Sequence, residues 1–144
     1  MRKPKITSLK NKSQSLFGGL RRVKLSSKET DGDIYLVEGV MPKGSSVPVH
    51  IHEFEDEIFH VLEGEVELIP GDDVFIGKDG DIIYLPRGIK HGINTSGEET
   101  AKVLNYVIPG KNFETFFDKM NAQGANPTKE VTTKLAQEHG ITFM

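Results

Sequence analysis

The chain has 144 residues, of which 36% are hydrophobic and 27% are charged, and its formal net charge is −3. This length suits a single domain with one core, and the composition excludes a chain that is disordered throughout. The sequence contains no cysteine. Disulfides and thiolate metal sites are therefore excluded, and any metal ion must bind imidazole nitrogen or carboxylate oxygen.

The N-terminal stretch is basic, since the first 28 residues hold nine lysines or arginines and no acidic residue. We interpret residues 1–19 as a basic arm that is flexible over residues 1–15. The arm lacks the clustered aromatic and basic side chains of a nucleic-acid surface. It also lacks the apolar run of a secretory signal, and no segment approaches the roughly 18 apolar residues of a membrane helix. We therefore expect a cytoplasmic protein without a nucleic-acid or membrane partner.

Short apolar segments, some of them alternating with polar residues, follow the arm and are separated by turns rich in glycine, proline and aspartate. Alternation with a period of two is typical of a half-buried strand. The pattern predicts strands over residues 20–25, 34–41, 47–52, 57–62, 66–68, 74–76, 82–85, 91–95 and 102–108. Short strands with regular turns favour a β-sandwich or a closed barrel over residues 20–110.

The periodicity changes after residue 110 and becomes helical. Apolar side chains recur at positions i, i+3, i+4 and i+7, namely Phe113, Phe116, Phe117 and Met120. This spacing predicts an amphipathic helix with Asn112 as its N-cap and Gly124 as its C-terminal stop. A second helix is predicted over residues 128–139. We interpret residues 111–144 as a helical extension whose aromatic stripe packs on the outside of the barrel, rather than as a partner surface.

Two histidines and a glutamate are spaced as metal ligands would be on neighbouring strands. Alternate side chains of a strand share a face, so His50 and His52 point the same way. A hairpin after the acidic turn of residues 53–56 brings Glu57 beside them, and His91 lies in a later strand. Three imidazoles and one carboxylate suit one divalent first-row ion (iron, manganese, nickel, cobalt, copper or zinc) and leave coordination positions open for a small-molecule substrate.

Glycines and a proline surround these residues at fixed offsets, and the whole pattern resembles the two motifs of the cupin family. The spacings are Gly44-x5-His50-x-His52-x4-Glu57-x6-Gly64 and Gly80-x5-Pro86-x-Gly88-x2-His91. The resemblance implies an all-β double-stranded β-helix, that is a jelly-roll barrel, with short C-terminal α-helices. It also implies that the four residues named above bind the metal. Thr95 stands where the family pattern has asparagine.

Within that family the chain resembles small single-domain proteins similar to quercetin dioxygenases. This resemblance implies a homodimer and a metal-dependent oxygenase for a small aromatic or enolisable substrate, with Glu57 acting as ligand and as proton acceptor. Phe59, Tyr35, Tyr84 and Tyr106 are the candidate pocket residues, whereas His60 and His139 are given no site role. A sugar or sugar-phosphate isomerase or epimerase ranks lower, because the chain has few arginines for a phosphate. A non-catalytic metal- or ligand-binding module is the third alternative.

Overall fold

The computed structural model describes residues 2–6, 13–16, 19–124 and 127–144. These residues form eleven strands, two α-helices and one short 3-10 helix, Ser27–Glu29. The strands are β1 Ser13–Leu16, β2 Gly19–Leu25, β3 Tyr35–Met41, β4 Ser46–His52, β5 Asp56–Glu63, β6 Val66–Leu68, β7 Phe75–Gly77, β8 Ile82–Leu85, β9 His91–Thr95, β10 Ala101–Ile108 and β11 Ile141–Phe143. The helices are α1 Lys111–Ala122 and α2 Lys129–Glu138.

The strands form two antiparallel sheets. The six-stranded sheet has the order β1-β2-β3-β10-β5-β8, and the five-stranded sheet has the order β11-β4-β9-β6-β7. Strands that are distant in sequence are neighbours in both sheets, as when β10 pairs with β3 on one side and β5 on the other. The predicted all-β fold with short C-terminal helices is confirmed. Neither α-helix of the described ranges is long and apolar enough to cross a membrane.

Alternation along the strands places one face of each sheet in the core. On β5, Phe59 and Val61 are buried, whereas Ile58 and His60, which alternate with them, are only half-buried. Val61 packs in one apolar cluster between the sheets with side chains of β6, β8, β9 and β10. Full burial of one such aliphatic side chain contributes about 1.5–3 kcal/mol to the stability of the fold. A second cluster lies under the helices and includes side chains of β3, β10, α1, α2 and β11.

Both ends of the chain differ in part from the sequence prediction. Residues 13–15, predicted to be flexible, belong to β1, and β11 was not predicted at all. In both cases the strand is specified by a partner strand, since β1 pairs with β2 and β11 pairs with β4. A backbone ladder of this kind forms with little dependence on the side chains. Residues 7–12 of the basic arm lie outside the described residues.

The basic arm is paired with an acidic turn where it is described. Arg2 contacts Asp31 and Asp33, and Lys5 contacts Glu29. These side chains are substantially exposed, so water and salt screen each pair and its contribution to stability is small. The contacts place residues 2–6 against the turn that precedes β3.

Helix α1 begins two residues earlier than predicted, and its N-cap is Gly110 instead of Asn112. The side chain of Asn112 does not cap the helix, because it donates hydrogen bonds to Glu55 and to the carbonyl oxygen of His139. The predicted stop is confirmed, since α1 ends at Ala122 and Gly124 has a φ of 92°. A left-handed residue just beyond a helix is a common way to end it.

Gly110 is placed where no side chain fits. A Cβ atom there would lie 2.4 Å from the backbone nitrogen of Tyr35 and 2.7 Å from the carbonyl carbon of Ile34. We expect Gly110→Ala to lower the free energy of unfolding by at least about 2 kcal/mol, because backbone atoms of β3 cannot move aside as a flexible side chain would. Denaturant-induced unfolding measures this change.

Gly97→Ala is the matched control. A Cβ atom at Gly97 would meet its nearest neighbour, the Cβ of Glu65, at an ordinary contact distance of 3.6 Å. Its unfolding free energy is expected to stay within about 1 kcal/mol of the parent value. Equal stabilities of the two variants would show that α1 and β3 are not packed as described.

Candidate metal centre

The four predicted ligands come together in the interior, and they come from both sheets. His50 and His52 lie on β4 and His91 lies on β9 of the five-stranded sheet, while Glu57 lies on β5 of the six-stranded sheet. Each of the four residues offers one nitrogen or oxygen atom as a ligand, and these four atoms all lie within 4.8 Å of one another. All four side chains are buried. We call this group the His/Glu cluster. An ion bound there would cross-link the two sheets.

The three imidazole rings of the cluster present the same nitrogen, Nε2, to its centre. In each ring Nδ1 faces an oxygen that accepts a hydrogen bond, so in the neutral ring Nδ1 carries the proton and Nε2 presents a lone pair toward the other cluster members. The oxygens are the carbonyl of Pro48 for His50 (2.7 Å), the carbonyl of Ile89 for His91 (3.3 Å) and the carboxylate of Glu55 for His52 (3.2 Å). This is the tautomer that binds a metal through Nε2.

The converging atoms are therefore acceptors that face one another. Nε2 of His50 lies 3.1 Å from Nε2 of His52, and Oε2 of Glu57 lies 2.7 Å from Nε2 of His91 and 3.4 Å from Nε2 of His52. Within the described part of the chain, neither Oε2 of Glu57 nor Nε2 of His91 has a hydrogen-bond partner of good geometry. Adjacent ligands at about 2.0–2.2 Å from one ion are about 3 Å apart. The spacing and the donor set thus fit a divalent cation.

The electrostatics of the cluster also favour a cation. Burial, reinforced by the two neighbouring imidazoles, lowers the pKa of His50 to about 4. Burial alone lowers the pKa of His52, but the carboxylates of Glu57 and Glu55 outweigh burial and raise that pKa above its ordinary value. Burial alone raises the pKa of Glu57, but the three imidazoles outweigh it and hold that pKa well below its usual range. Without metal, a proton on His52 supplies part of the positive charge that the cluster requires.

A cavity of about 130 Å³ adjoins the cluster. His50, Glu57 and His91 form part of its wall, so three of the four cluster members face the space that a small molecule would occupy. The rest of the wall is largely apolar and includes Met41, Val103, Phe59, Phe113 and Phe117. A pocket of apolar walls with a few convergent polar groups is the usual form of a small-molecule site.

Two polar residues of the cavity wall were missed in the sequence. Asn105 on β10 donates from Nδ2 to Oε1 of Glu57 at 3.1 Å, and its Oδ1 is buried without a hydrogen-bond partner among the described residues. Arg21 on β2 donates to the hydroxyl of Tyr35 at 2.7 Å and lies over the ring of Phe117. No local motif marks either residue, because their positions follow from the register of strands that are distant in sequence.

The four candidate pocket residues are placed differently from one another. Phe59 lines the cavity beside the cluster. Tyr35 is buried next to Phe113, and its hydroxyl accepts from Arg21, but it does not line the cavity. The other two, Tyr84 and Tyr106, are not brought to the site. Tyr84 is 60% exposed, and both are cross-strand neighbours of Ile58 on the outer face of β5.

The aromatic stripe of α1 packs against the site and not only against the outside of the barrel. The ring of Phe113 lies 4.7 Å from the ring of His52, and Phe113 and Phe117 both line the cavity. Helix α1 therefore supplies part of the wall that the sequence prediction assigned to the strands alone.

Comparisons with known proteins agree with this architecture. The family described as "Cupin domain" matches residues 36–107. The quercetin 2,3-dioxygenase of Bacillus subtilis (strain 168) is 31% identical over 98 residues, which are 68% of this chain and 28% of that protein. An oxalate-binding protein of Thermotoga maritima is 41% identical over 69 residues, which are 47% of this chain and 56% of that protein.

A solved structure supports the fold over a larger share of both chains. The structure of KdgF from Halomonas sp. superposes with a TM-score of 0.67 at 20% identity, covering 74% of this chain and 94% of that one. At this identity the likeness concerns the fold alone. By contrast, the chain spans only 28% and 56% of the two relatives that it matches in sequence. The cupin domain match covers half of the chain and contains all four members of the His/Glu cluster, and this chain belongs to the cupin family.

Proposed function

We propose that the His/Glu cluster binds one divalent first-row metal ion and that the protein is a metal-dependent oxygenase for a small aromatic or enolisable molecule. The observation that carries the proposal is the set of four buried acceptors that face one another at the wall of an apolar cavity. When bound, such an ion supplies Lewis acidity, and every candidate except zinc also supplies redox chemistry.

The residues around the cluster have separate tasks in this proposal. Asn105 holds Oε1 of Glu57, which leaves Oε2 directed at the imidazoles. Because Oδ1 of Asn105 has no partner among the described residues, it is available to accept a hydrogen bond from a substrate hydroxyl. Phe59, Phe113 and Phe117 exclude water and offer surfaces for a flat ring. Glu57 is the one carboxylate on the described cavity wall, and it is the group that accepts the substrate proton when its Oε2 is released from the metal.

The choice of an oxygenase is supported by two lines of evidence. The named quercetin 2,3-dioxygenase is similar over 68% of this chain, a span that exceeds the cupin match of residues 36–107. The aromatic wall of the cavity suits an aromatic or enolisable substrate better than a sugar. Arg21 is the one arginine that the described cavity wall contains, which argues against the several cationic donors that a sugar phosphate requires.

A non-catalytic binding module is the second candidate. It is favoured by the similarity to a protein named for binding oxalate and by the presence of Arg21 on the cavity wall. A module of this kind would hold a small anion beside the metal without turnover. The homodimer implied by the family resemblance remains a prediction.

The proposal is tested by expressing the protein in metal-balanced medium and measuring metal content and oxygen uptake. We expect about one iron, manganese, nickel, cobalt or copper ion per chain, and oxygen uptake in a screen of flavonols and diketones. His50→Ala, His52→Ala and His91→Ala each remove one of only four ligands. Each is therefore expected to weaken metal binding by more than the roughly 10- to 100-fold that follows loss of an outer hydrogen-bond partner.

His60→Ala is the matched control, because His60 lies on the opposite face of the strand that carries Glu57. It is expected to retain the metal content of the parent protein. Zinc alone, or a redox-active metal without oxygen uptake, would favour the binding module or an isomerase over an oxygenase. An equal loss of metal in all four variants would contradict the assignment of the cluster.

Metal binding is expected to strengthen as the pH rises through the neutral range. The raised pKa of His52 means that this ring holds its second proton to a higher pH than an ordinary imidazole does, and that proton must leave before Nε2 can bind a metal. Protons therefore compete with the metal below that pKa, and the apparent dissociation constant rises by about tenfold for each pH unit of acidification. His50, with its pKa lowered to about 4, adds no competition in this range.

Calorimetric titration of the metal-free protein with Co²⁺, in two buffers with different ionisation enthalpies, measures this proton release directly. We expect protons to be released as the ion binds, and more of them at about pH 5.5 than at about pH 8. Release of no proton, together with an affinity that does not change between about pH 5.5 and pH 8, would show that His52 is not a ligand.

A further inference from the structure

One member of the His/Glu cluster has a buried carboxylate behind it. Nδ1 of His52 donates to Oε2 of Glu55 at 3.2 Å, whereas the corresponding atoms of His50 and His91 face backbone carbonyls. Glu55 is 1% exposed. It lies at one of the four positions between His52 and Glu57 that the motif leaves unspecified, so the motif itself assigns it no role.

The burial of Glu55 needs a physical reason. Its neighbours in the same acidic turn are placed otherwise, since Glu53 is exposed and Asp56 forms an exposed ion pair with Arg87. Burying a carboxylate is strongly unfavourable unless a cation and hydrogen bonds compensate for the lost hydration. The positive charge next to Glu55 is either a proton carried by His52 or a metal ion bound to His52. Its position is therefore best compensated when His52 carries a proton or a metal ion.

The second oxygen of Glu55 connects it to the helical extension. Nδ2 of Asn112, in the first turn of α1, donates to Oε1 of Glu55 at 2.6 Å and to the carbonyl oxygen of His139 at 2.7 Å. Oδ1 of Asn112 accepts from Nδ1 of His139 at 2.8 Å. A continuous chain of hydrogen bonds thus runs from His52 through Glu55 and Asn112 to His139, the residue that ends α2.

Two further contacts join the C-terminal residues to the same strand. Strand β11 pairs with β4 so that Ile141 lies opposite His52 and Phe143 lies opposite His50. The backbone nitrogen of Glu53 donates to the carbonyl oxygen of Gly140 at 2.8 Å. The turn that carries Glu55 is therefore held on one side by β4 and on the other by the segment that follows α2.

We infer that Glu55 is a positioning residue of the metal centre and that Asn112 and His139 make the helical extension a structural part of that centre. Glu55 fixes the tautomer and orientation of His52 and increases the basicity of its Nε2. Asn112 fixes Glu55. This inference rests on the proposed metal binding, and it extends the centre beyond the four ligands to residues of α1 and of the end of α2.

The test compares Glu55→Gln with Glu53→Gln, a control that removes an exposed carboxylate two residues earlier in the same turn. Metal-free full-length protein is titrated with Co²⁺, and binding and the visible ligand-field spectrum are recorded. Glu55→Gln is expected to weaken Co²⁺ binding about 10- to 100-fold and to shift the spectrum, because the amide cannot hold His52 as the carboxylate does. Glu53→Gln is expected to match the parent protein in both readouts.

Parent affinity and spectrum in Glu55→Gln would overturn the inference while leaving the proposed metal binding intact. Failure of the parent protein to bind Co²⁺ would overturn both. If Glu55→Gln does not fold, Asn112→Ala tests the inference instead. Its control is Asn121→Ala, on the exposed side of the same helix. Asn112→Ala is expected to weaken Co²⁺ binding severalfold and to shift the spectrum, and no difference between these two variants would also overturn the inference.

Discussion

Three imidazole lone pairs and one carboxylate oxygen face one another inside this protein, and no donor among the described residues lies between them. Such an arrangement is unfavourable in a low-dielectric interior unless a positive charge occupies its centre. A proton meets the requirement in part, as the raised pKa of His52 indicates, and a divalent ion meets it more completely. The surrounding fold can be understood as the means of holding these four groups in place.

The two sheets share this task. His50, His52 and His91 belong to one sheet and Glu57 to the other, so the relative position of the sheets determines whether the cluster forms. An ion that binds all four groups stabilises the packing of the sheets as well, because it binds only the folded chain. The backbone contributes further, since the carbonyl oxygens of Pro48 on β4 and of Ile89 just before β9 fix two of the three rings.

Much of this centre was predictable from the sequence, because local spacing along the chain places several of its residues. The other residues are placed by contacts between distant segments. His50 and His52 share a face because a strand has a period of two, and Glu57 and His91 follow from a motif of fixed offsets. Glycines with positive φ at positions 44, 64, 80 and 88 mark turns that few other residues could form. The strands between these turns were therefore predicted close to their observed bounds.

Residues whose placement depends on distant pairing were not predictable in the same way. Asn105 reaches Glu57 only because β10 pairs with β5 in one particular register, and a shift by one residue would turn it outward. Tyr84 was a candidate for the pocket, but the alternation of side chains along β8 places it on the outer face of the sheet. Strand β11 requires the chain to return from α2 to β4, and the contact between Asn112 and Glu55 requires the start of α1 to lie against the turn after β4. No local pattern encodes either arrangement.

We expect one metal ion to bind to all four members of the His/Glu cluster. A crystal structure of the protein loaded with Co²⁺, with data recorded on both sides of the cobalt absorption edge, locates the ion directly. A single anomalous peak per chain is expected, about 2.0–2.2 Å from Nε2 of each of the three histidines and from Oε2 of Glu57. A peak elsewhere on the chain, or a fully loaded ion that contacts only one of the two sheets, would contradict it.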